Sequence, residues 1–290
     1  MLIQMNFVSD YELMLNEELT RLGVKDPDAS PPWKRFAMLF DNSDRLVPAK
    51  KYKVHVSKEL RAKADWQMPS AALLEVIKRL KSGKTIQPYL STLTQKPEQL
   101  DRLLLHWDIN HLHLEPMSSL QSNGFVKRAD QLLLFRVKGD DCYLIDVLPH
   151  SLPTLWVEKS LVEIADRNWP HLHHANKSRT WTADQLTATQ LALMRRKNIN
   201  VPFVTARGML SMPTSGVSSA GHSITSSTRW LQTQERLKHL ERYVRSNHDV
   251  LLPKPVTYVT SIVLQQVHAT GFTVFSYGSQ ASAFVDIADL

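Results

Sequence analysis

Residues 109–150 constrain the fold most strongly, because they contain three apolar runs separated by short polar loops. Short apolar runs bounded by turn residues are typical of strands that pack in a core. The loop Lys138-Gly139-Asp140-Asp141 suits an antiparallel hairpin between the second and third runs. The sequence therefore predicts a three-stranded antiparallel meander, with strands near residues 109–114, 131–137 and 142–148.

The residues before this meander predict one strand followed by two helices. Apolar and polar residues alternate over 52–56, as in a half-buried strand. Apolar residues recur at helical spacing over 71–81, where Gly83 would end the helix, and again over 97–107. Residues 50–150 thus predict an α+β fold in which a small antiparallel sheet is packed by helices.

The flanking regions are predicted to be mostly helical. Residues 1–48 are interpreted as a helical appendage, because Ser9 and Glu12 form a capping-box pattern. Residues 49–170 form the predicted core domain, and residues 171–290 form a C-terminal α+β region. Further predicted elements are helices over 157–166, 180–196, 227–246 and 255–269, a Ser/Gly-rich loop at 207–228, and a closing hairpin of 272–275 and 283–287 around Gly278.

The charge balance favours an anionic partner. The chain of 290 residues has 35 Lys and Arg against 28 Asp and Glu, a formal net charge of +7. Such a balance favours nucleic acid above other partners. The single cysteine, Cys142, excludes an internal disulfide and a Cys-rich zinc site. Without a signal-peptide pattern or a long apolar window, the chain is expected to be cytoplasmic and to have no membrane partner.

Residues 50–150 resemble the RelE/ParE-type toxin fold. The resemblance is carried by the element order, by the step Val56-Ser57-Lys58 before the helices, and by Arg128-Ala129-Asp130 before the apolar run 132–135. It implies a small antiparallel sheet packed by a helical pair. It also implies an endoribonuclease toxin or phage-defence effector, acting on RNA in preference to DNA, with a protein antitoxin or partner subunit.

Two histidines lie two positions apart in the first predicted strand of the meander. Alternation places His111 and His113 on one face, about 7 Å apart along the strand. Two imidazoles in this arrangement can share acid/base work or hold a metal. A metal site would need a third ligand, for which His150 and Asp146 are the candidates. The alternative is that both are polar positions on a solvated sheet face.

The meander also contains the groups that metal-free RNA cleavage requires. That reaction needs a group to activate the 2′-hydroxyl, a cation for the phosphorane and an acid for the leaving oxygen. The predicted catalytic residues are His113, Arg128 and His150, with His111 beside them. The predicted nucleic-acid-binding residues are Lys127, Arg136 and Lys138. No Walker or dinucleotide-binding pattern occurs, and no cofactor is expected.

Three functions are compatible with these patterns. The first is a RelE-like endoribonuclease that needs no metal. The second is a non-catalytic module that binds nucleic acid or a protein, with the meander as scaffold. The third is a hydrolase whose metal is held by His111 and His113. A further group of histidines, at positions 171, 173 and 174, is interpreted as turn residues, because their spacing matches no standard metal site.

Overall fold

The computed structural model describes residues 2–68, 70–172, 186–208, 210–211, 216–253 and 259–290. The helices are α1 (Phe7–Arg21), α2 (Pro32–Ser43), α3 (Lys58–Ala62), α4 (Ala64–Gln67), α5 (Ala71–Ser82), α6 (Arg102–Trp107), α7 (Lys159–Asn168), α8 (Ala188–Arg196) and α9 (Ile224–Leu251). The strands are β1 (Leu2–Gln4), β2 (Lys53–Val56), β3 (Asn110–His113), β4 (Gln131–Lys138), β5 (Asp141–Pro149), β6 (Phe203–Val204), β7 (Leu210–Ser211), β8 (Val259–Val267), β9 (Gly271–Ser276) and β10 (Ala281–Asp286).

These elements group into two compact units. One unit comprises Met1–Leu39 together with Ser226–Leu290, and the other comprises Phe40–Thr225. The sequence prediction divided the chain into three contiguous regions and placed the two ends in different ones. In the structure the two ends share a unit, because β1 pairs in parallel with β8. Each unit combines helices with a four-stranded, mostly antiparallel sheet, so the fold is α+β, as predicted.

The larger unit is organised around a four-stranded sheet of order β2-β5-β4-β3. The pairs β3–β4 and β4–β5 are antiparallel, which confirms the predicted meander. The strand predicted at 52–56 is β2, and it joins the sheet by parallel pairing with β5. The predicted order of one strand, helices and three strands is therefore present, with additional short helices between β2 and β3.

Strand β4 is almost wholly apolar because both faces of the sheet are covered. Leu132 and Leu134 pack into a core with Trp107 and residues of α7 and α8. Leu133 and Phe135 pack into the opposite core with residues of α5. A strand buried on both faces gives a continuous apolar run instead of an alternating one. The continuous apolar run of β4 therefore indicates that both faces of the sheet are covered as well as that the segment is a strand.

Polar side chains at helix starts fix several junctions in this unit. Ser57 accepts a hydrogen bond from the backbone N–H of Leu60 at the start of α3, and its hydroxyl donates to the Ile145 carbonyl of β5. Ser70 caps α5, which ends at Gly83 with a φ of 81°, as predicted. The helix predicted over 97–107 begins only at Arg102. Asp101 is its cap, and its carboxylate accepts the hydrogen bonds that define the first turn.

The smaller unit contains a second four-stranded sheet, of order β1-β8-β9-β10. Its core combines Phe7 of α1, Leu237 and Leu240 of α9, and apolar residues of the sheet. The predicted hairpin around Gly278 is confirmed by the antiparallel pairing of β9 and β10. The helix predicted over 255–269 is wrong, since Val259–Val267 is strand β8. Valines four residues apart suit alternate positions of a strand as well as one face of a helix.

Other predicted helices in the C-terminal region differ at their ends. Helix α9 begins at Ile224, so Ser227 lies inside the helix and is not its cap. The helix predicted over 180–196 corresponds to α8 in its second half, and its first part, through residue 185, lies outside the described residues. In the part of the chain that the structure describes, no helix is both long enough and apolar enough to cross a membrane.

Candidate functional site

Three histidines and one arginine meet at one end of the larger sheet. His111 and His113 belong to β3, Arg128 precedes β4, and His150 follows β5. The antiparallel register explains the meeting, since Leu132 at the start of β4 lies opposite both His113 of β3 and Leu148 of β5. We call His111, His113, Arg128 and His150 the histidine–arginine cluster.

The imidazole rings of the three histidines in the histidine–arginine cluster are in contact. The His113 and His150 rings stack with centroids 5.6 Å apart, and the His111 ring approaches His113 edge-on at 6.2 Å. The backbone N–H of His150 donates to the carbonyl of Asp130, which holds the end of β5 beside the start of β4. The residues chosen from the sequence as catalytic are therefore neighbours in space.

Arg128 is paired with His150. Its Nε lies 3.1 Å and its Nη2 2.6 Å from His150 Nε2. Because a guanidinium only donates, Nε2 must carry a lone pair and His150 is neutral in this arrangement. Burial, followed by the charge of Arg128, lowers the pKa of His150, whereas Asp130 acts in the opposite direction. Arg128 itself is exposed, so the guanidinium remains within reach of a ligand.

His113 is the most buried member, with 7% of its surface exposed. Its Nδ1 accepts a hydrogen bond of 3.3 Å from the backbone N–H of Ala129. Burial lowers its pKa to about 4, and His111, His150 and Arg128 add to the effect. His113 is therefore neutral near pH 7 with its proton on Nε2. The sequence hypothesis gave it an acid/base role, but this tautomer makes it a hydrogen-bond donor.

His111 faces a carboxylate that the sequence reasoning did not select. Its Nδ1 lies 3.5 Å from Oδ2 of Asp101, the residue that caps α6. Both side chains are mostly buried, with 16% and 14% exposure respectively. A helix-capping pattern at Asp101 was the available signal, but it does not reveal that the cap lies beside β3.

The predicted nucleic-acid-binding residues divide between the two ends of β4. Lys127 is exposed beside Arg128 and precedes β4, whereas Lys138 is exposed at the far end of that strand, which is roughly 23 Å long. Arg136 is buried, contrary to the prediction that it contacts nucleic acid. Its guanidinium donates to the Asp108 carboxylate at 2.9 Å and to the carbonyls of Trp107 and Leu172. Arg136 therefore fastens the end of α6 to the sheet and cannot contact a nucleic-acid backbone there.

Of the two candidate third metal ligands, His150 stacks on His113, whereas Asp146 is held by another partner. Asp146 is buried and pairs with Lys63, with 2.7 Å between Nζ and Oδ1. Among the described residues, no three His, Cys, Asp or Glu side chains are arranged to hold a metal ion. His171 lies 3.3 Å from the Tyr143 hydroxyl, away from the cluster, and His173 and His174 lie outside the described residues. The donor set does not fit the metal-site hypothesis.

An acidic cavity adjoins the histidine–arginine cluster through Asp101. Its volume is about 420 Å³, and its charged lining residues are Asp41, Asp44, Arg45, Asp101 and Asp108. Four carboxylates around one cavity disfavour a phosphate there. A phosphate would instead be attracted to the exposed cations Lys127 and Arg128, neither of which lines this cavity.

Comparison with models of protein families, with curated proteins and with solved structures returned no significant match. The resemblance of residues 50–150 to the RelE/ParE-type toxins stays a prediction. A function for the cluster therefore depends on its geometry and chemistry.

Proposed function

We propose that the histidine–arginine cluster is a metal-free acid/base site that cleaves RNA. The observation that carries the proposal is the convergence of His113, Arg128 and His150, which come from three separate segments. A toxin or phage-defence role, controlled by a protein antitoxin or partner subunit, is part of the same proposal. It rests on the resemblance of residues 50–150 to RelE-like endoribonucleases.

RNA supplies its own nucleophile, so the protein needs only proton transfer and charge stabilisation. A base removes the proton of the 2′-hydroxyl while that oxygen attacks the adjacent phosphorus. The bond from phosphorus to the 5′-oxygen breaks, and an acid protonates the leaving oxygen. The products are a 2′,3′-cyclic phosphate and a 5′-hydroxyl end. DNA lacks the 2′-hydroxyl and cannot follow this route.

Arg128 fits the role of phosphate ligand. It is exposed, and a guanidinium binds phosphate oxygens with two parallel hydrogen bonds. To do so it must exchange its contact with His150 for one with the phosphate. The neutral His113 can donate a hydrogen bond from its Nε2–H to a further phosphate oxygen.

His150 fits the role of the acid once the phosphate is bound. Arg128 contributes to the lowered pKa of His150 in the free protein. A phosphate that neutralises Arg128 removes that contribution and adds a negative charge nearby, so it raises the pKa of His150. Substrate binding would thus favour the protonated imidazole that the leaving 5′-oxygen requires.

The test is cleavage of a defined RNA by purified wild-type protein and matched variants in the presence of a chelator. His150→Ala should lower the rate about a hundredfold or more, because it removes a proton-transfer group. Arg128→Lys should also impair cleavage, because it keeps the charge but loses the planar fork. His113→Ala/His150→Ala should abolish growth arrest and RNA loss when expressed in cells.

The control is His239→Ala, which changes an exposed histidine of α9 in the other unit. It should cleave RNA at the wild-type rate. Full activity of both the His113 and His150 single variants would remove this cluster as the catalytic site. Activity that disappears with the chelator would point to metal-dependent hydrolysis instead.

A non-catalytic nucleic-acid-binding module is the second candidate. The exposed pair Lys127 and Arg128 and the net charge of +7 favour it. In that case the wild-type protein binds RNA with an affinity that falls steeply with salt, through counterion release, and leaves it intact. Binding without cleavage under all conditions would select this candidate over the enzyme.

A further inference from the structure

We infer that Asp101 is a positioning residue that sets His111 as the general base of the proposed RNA-cleaving site. This inference rests on the proposed function and adds a base and its orienting group to that site. The proposed function assigns roles to Arg128, His113 and His150, but none to Asp101 or His111.

The carboxylate of Asp101 is held in a fixed orientation. Its Oδ1 accepts hydrogen bonds of 3.1 Å from the backbone N–H groups of both Leu103 and Leu104. Two bonds to one helix end leave the side chain little rotational freedom. The second oxygen, Oδ2, is then the atom that lies 3.5 Å from His111 Nδ1.

This contact bears on which nitrogen of His111 carries the proton and which can act as a base. A carboxylate beside Nδ1 favours the tautomer with its proton on Nδ1, so Nε2 keeps a lone pair. His113 has the opposite tautomer, because its Nδ1 accepts the Ala129 N–H. The two histidines of β3 thus differ in function. His111 accepts a proton at Nε2, whereas His113 donates a hydrogen bond from Nε2.

The position of His111 agrees with this division of roles. The ionisable groups that face it are Asp101, His113 and, beyond His113, His150 and Arg128. Asp101 is the one carboxylate among these groups, and its Oδ2 lies 3.5 Å from His111 Nδ1. When His111 Nε2 takes the 2′-hydroxyl proton, the resulting imidazolium is stabilised by the adjacent carboxylate. His150 then supplies the proton to the 5′-oxygen, and the proton count balances.

Asparagine separates the orienting role of Asp101 from its capping role. An Asn side chain is as good a helix cap as Asp, because its carbonyl oxygen accepts the same backbone N–H bonds. It lacks the negative charge, and its amide nitrogen is a donor. Asp101→Asn should therefore keep α6 and the melting temperature, while it removes support for the Nδ1–H tautomer of His111.

The experiment compares kcat, KM and the pH dependence of RNA cleavage in the wild type, Asp101→Asn, His111→Ala and the double variant. Asp101→Asn should lower kcat about a hundredfold or more, with KM and melting temperature near wild type. The acid limb of its kcat/KM profile should move to lower pH, which a purely structural defect would not cause. In the His111→Ala background, Asp101→Asn should cost little more.

Four results would overturn the inference. Wild-type kcat in Asp101→Asn, with His150→Ala inactive, would leave the proposed function standing and remove Asp101 from it. Fully additive losses in the double variant would show that Asp101 acts independently of His111. Imidazole ¹⁵N spectra that place the His111 proton on Nε2 would contradict the assigned tautomer without any activity measurement. A wild-type protein that cleaves no RNA would overturn both the proposed function and this role.

Discussion

At the scale of single residues, burial of imidazoles links stability to pH. His106 of α6 is fully buried, and among the described residues neither of its ring nitrogens has a hydrogen-bond partner. Burial, with Arg195 and Arg102 nearby, lowers its pKa from the ordinary 6.5 to about 3. Between these values the unfolded chain binds a proton that the folded protein does not. The free energy of unfolding must therefore fall as the pH drops from 6.5 towards 3.

His106→Phe tests this linkage. The variant should show a weaker dependence of unfolding free energy on pH below 6.5, with a slope smaller by up to about 1.4 kcal/mol per pH unit. Denaturant unfolding at several pH values measures it. The remaining slope has a contribution from His113, whose pKa is also lowered, to about 4. An unchanged slope in His106→Phe would mean that His106 is protonated alike in both states.

The residue scale also shows how far the sequence could predict the candidate site. Alternation in β3 was enough to place His111 and His113 on one face, and the meander was enough to bring Arg128 near His150. Asp101 was not found, because its approach to His111 depends on how α6 docks beside β3. Arg136 was misassigned, since a cation inside an otherwise apolar run can point into the interior when both sheet faces are covered.

At the scale of secondary-structure elements, α8 carries a buried charge. Arg195 is fully buried, and its guanidinium carbon lies 3.8 Å from the centre of the Trp107 ring. Its side-chain nitrogens make no hydrogen bond to any residue that the structure describes. Burial lowers its pKa to about 9, so it remains charged at neutral pH. The contact with the ring offsets part of the desolvation cost of the guanidinium.

Replacement of this arginine should stabilise the larger unit. Arg195→Met keeps an unbranched chain against Trp107 and removes the buried charge, so the free energy of unfolding should rise by about 1 kcal/mol or more. The neighbouring Arg196 is exposed, and Arg196→Met is the matched control with an expected change near zero. A clear loss of stability in Arg195→Met alone would show that the guanidinium is favourable where it is.

Helices and strands could be predicted from the sequence where the spacing of apolar residues fits only one type of secondary structure. The long apolar run of β4 and the turn at Gly139 identified a hairpin, and Gly83 identified the end of α5. Strand β8 was misread because its valines, four residues apart, fit a helix and a strand equally. Its strand state is determined by pairing with β1 and β9, which no local pattern contains.

At the scale of the whole molecule, the division into units depends on contacts between distant parts of the chain. Leu2 pairs with Val259, and this register joins the N-terminal residues to the C-terminal sheet. Sequence reasoning divides a chain at changes in local composition, so it produced contiguous regions. The histidine–arginine cluster was easier to predict, because all of its members lie within 40 residues of one another (positions 111 to 150) in a single meander.

The most direct test of the proposed function is a comparison of one RNA oligonucleotide with its 2′-O-methyl counterpart in the presence of a chelator, followed by analysis of the product ends. We expect cleavage of the RNA alone, with 2′,3′-cyclic phosphate and 5′-hydroxyl ends, and a rate about a hundredfold or more lower in His150→Ala. Cleavage of the 2′-O-methyl strand, or an intact RNA under conditions in which the protein binds it, would contradict the assignment.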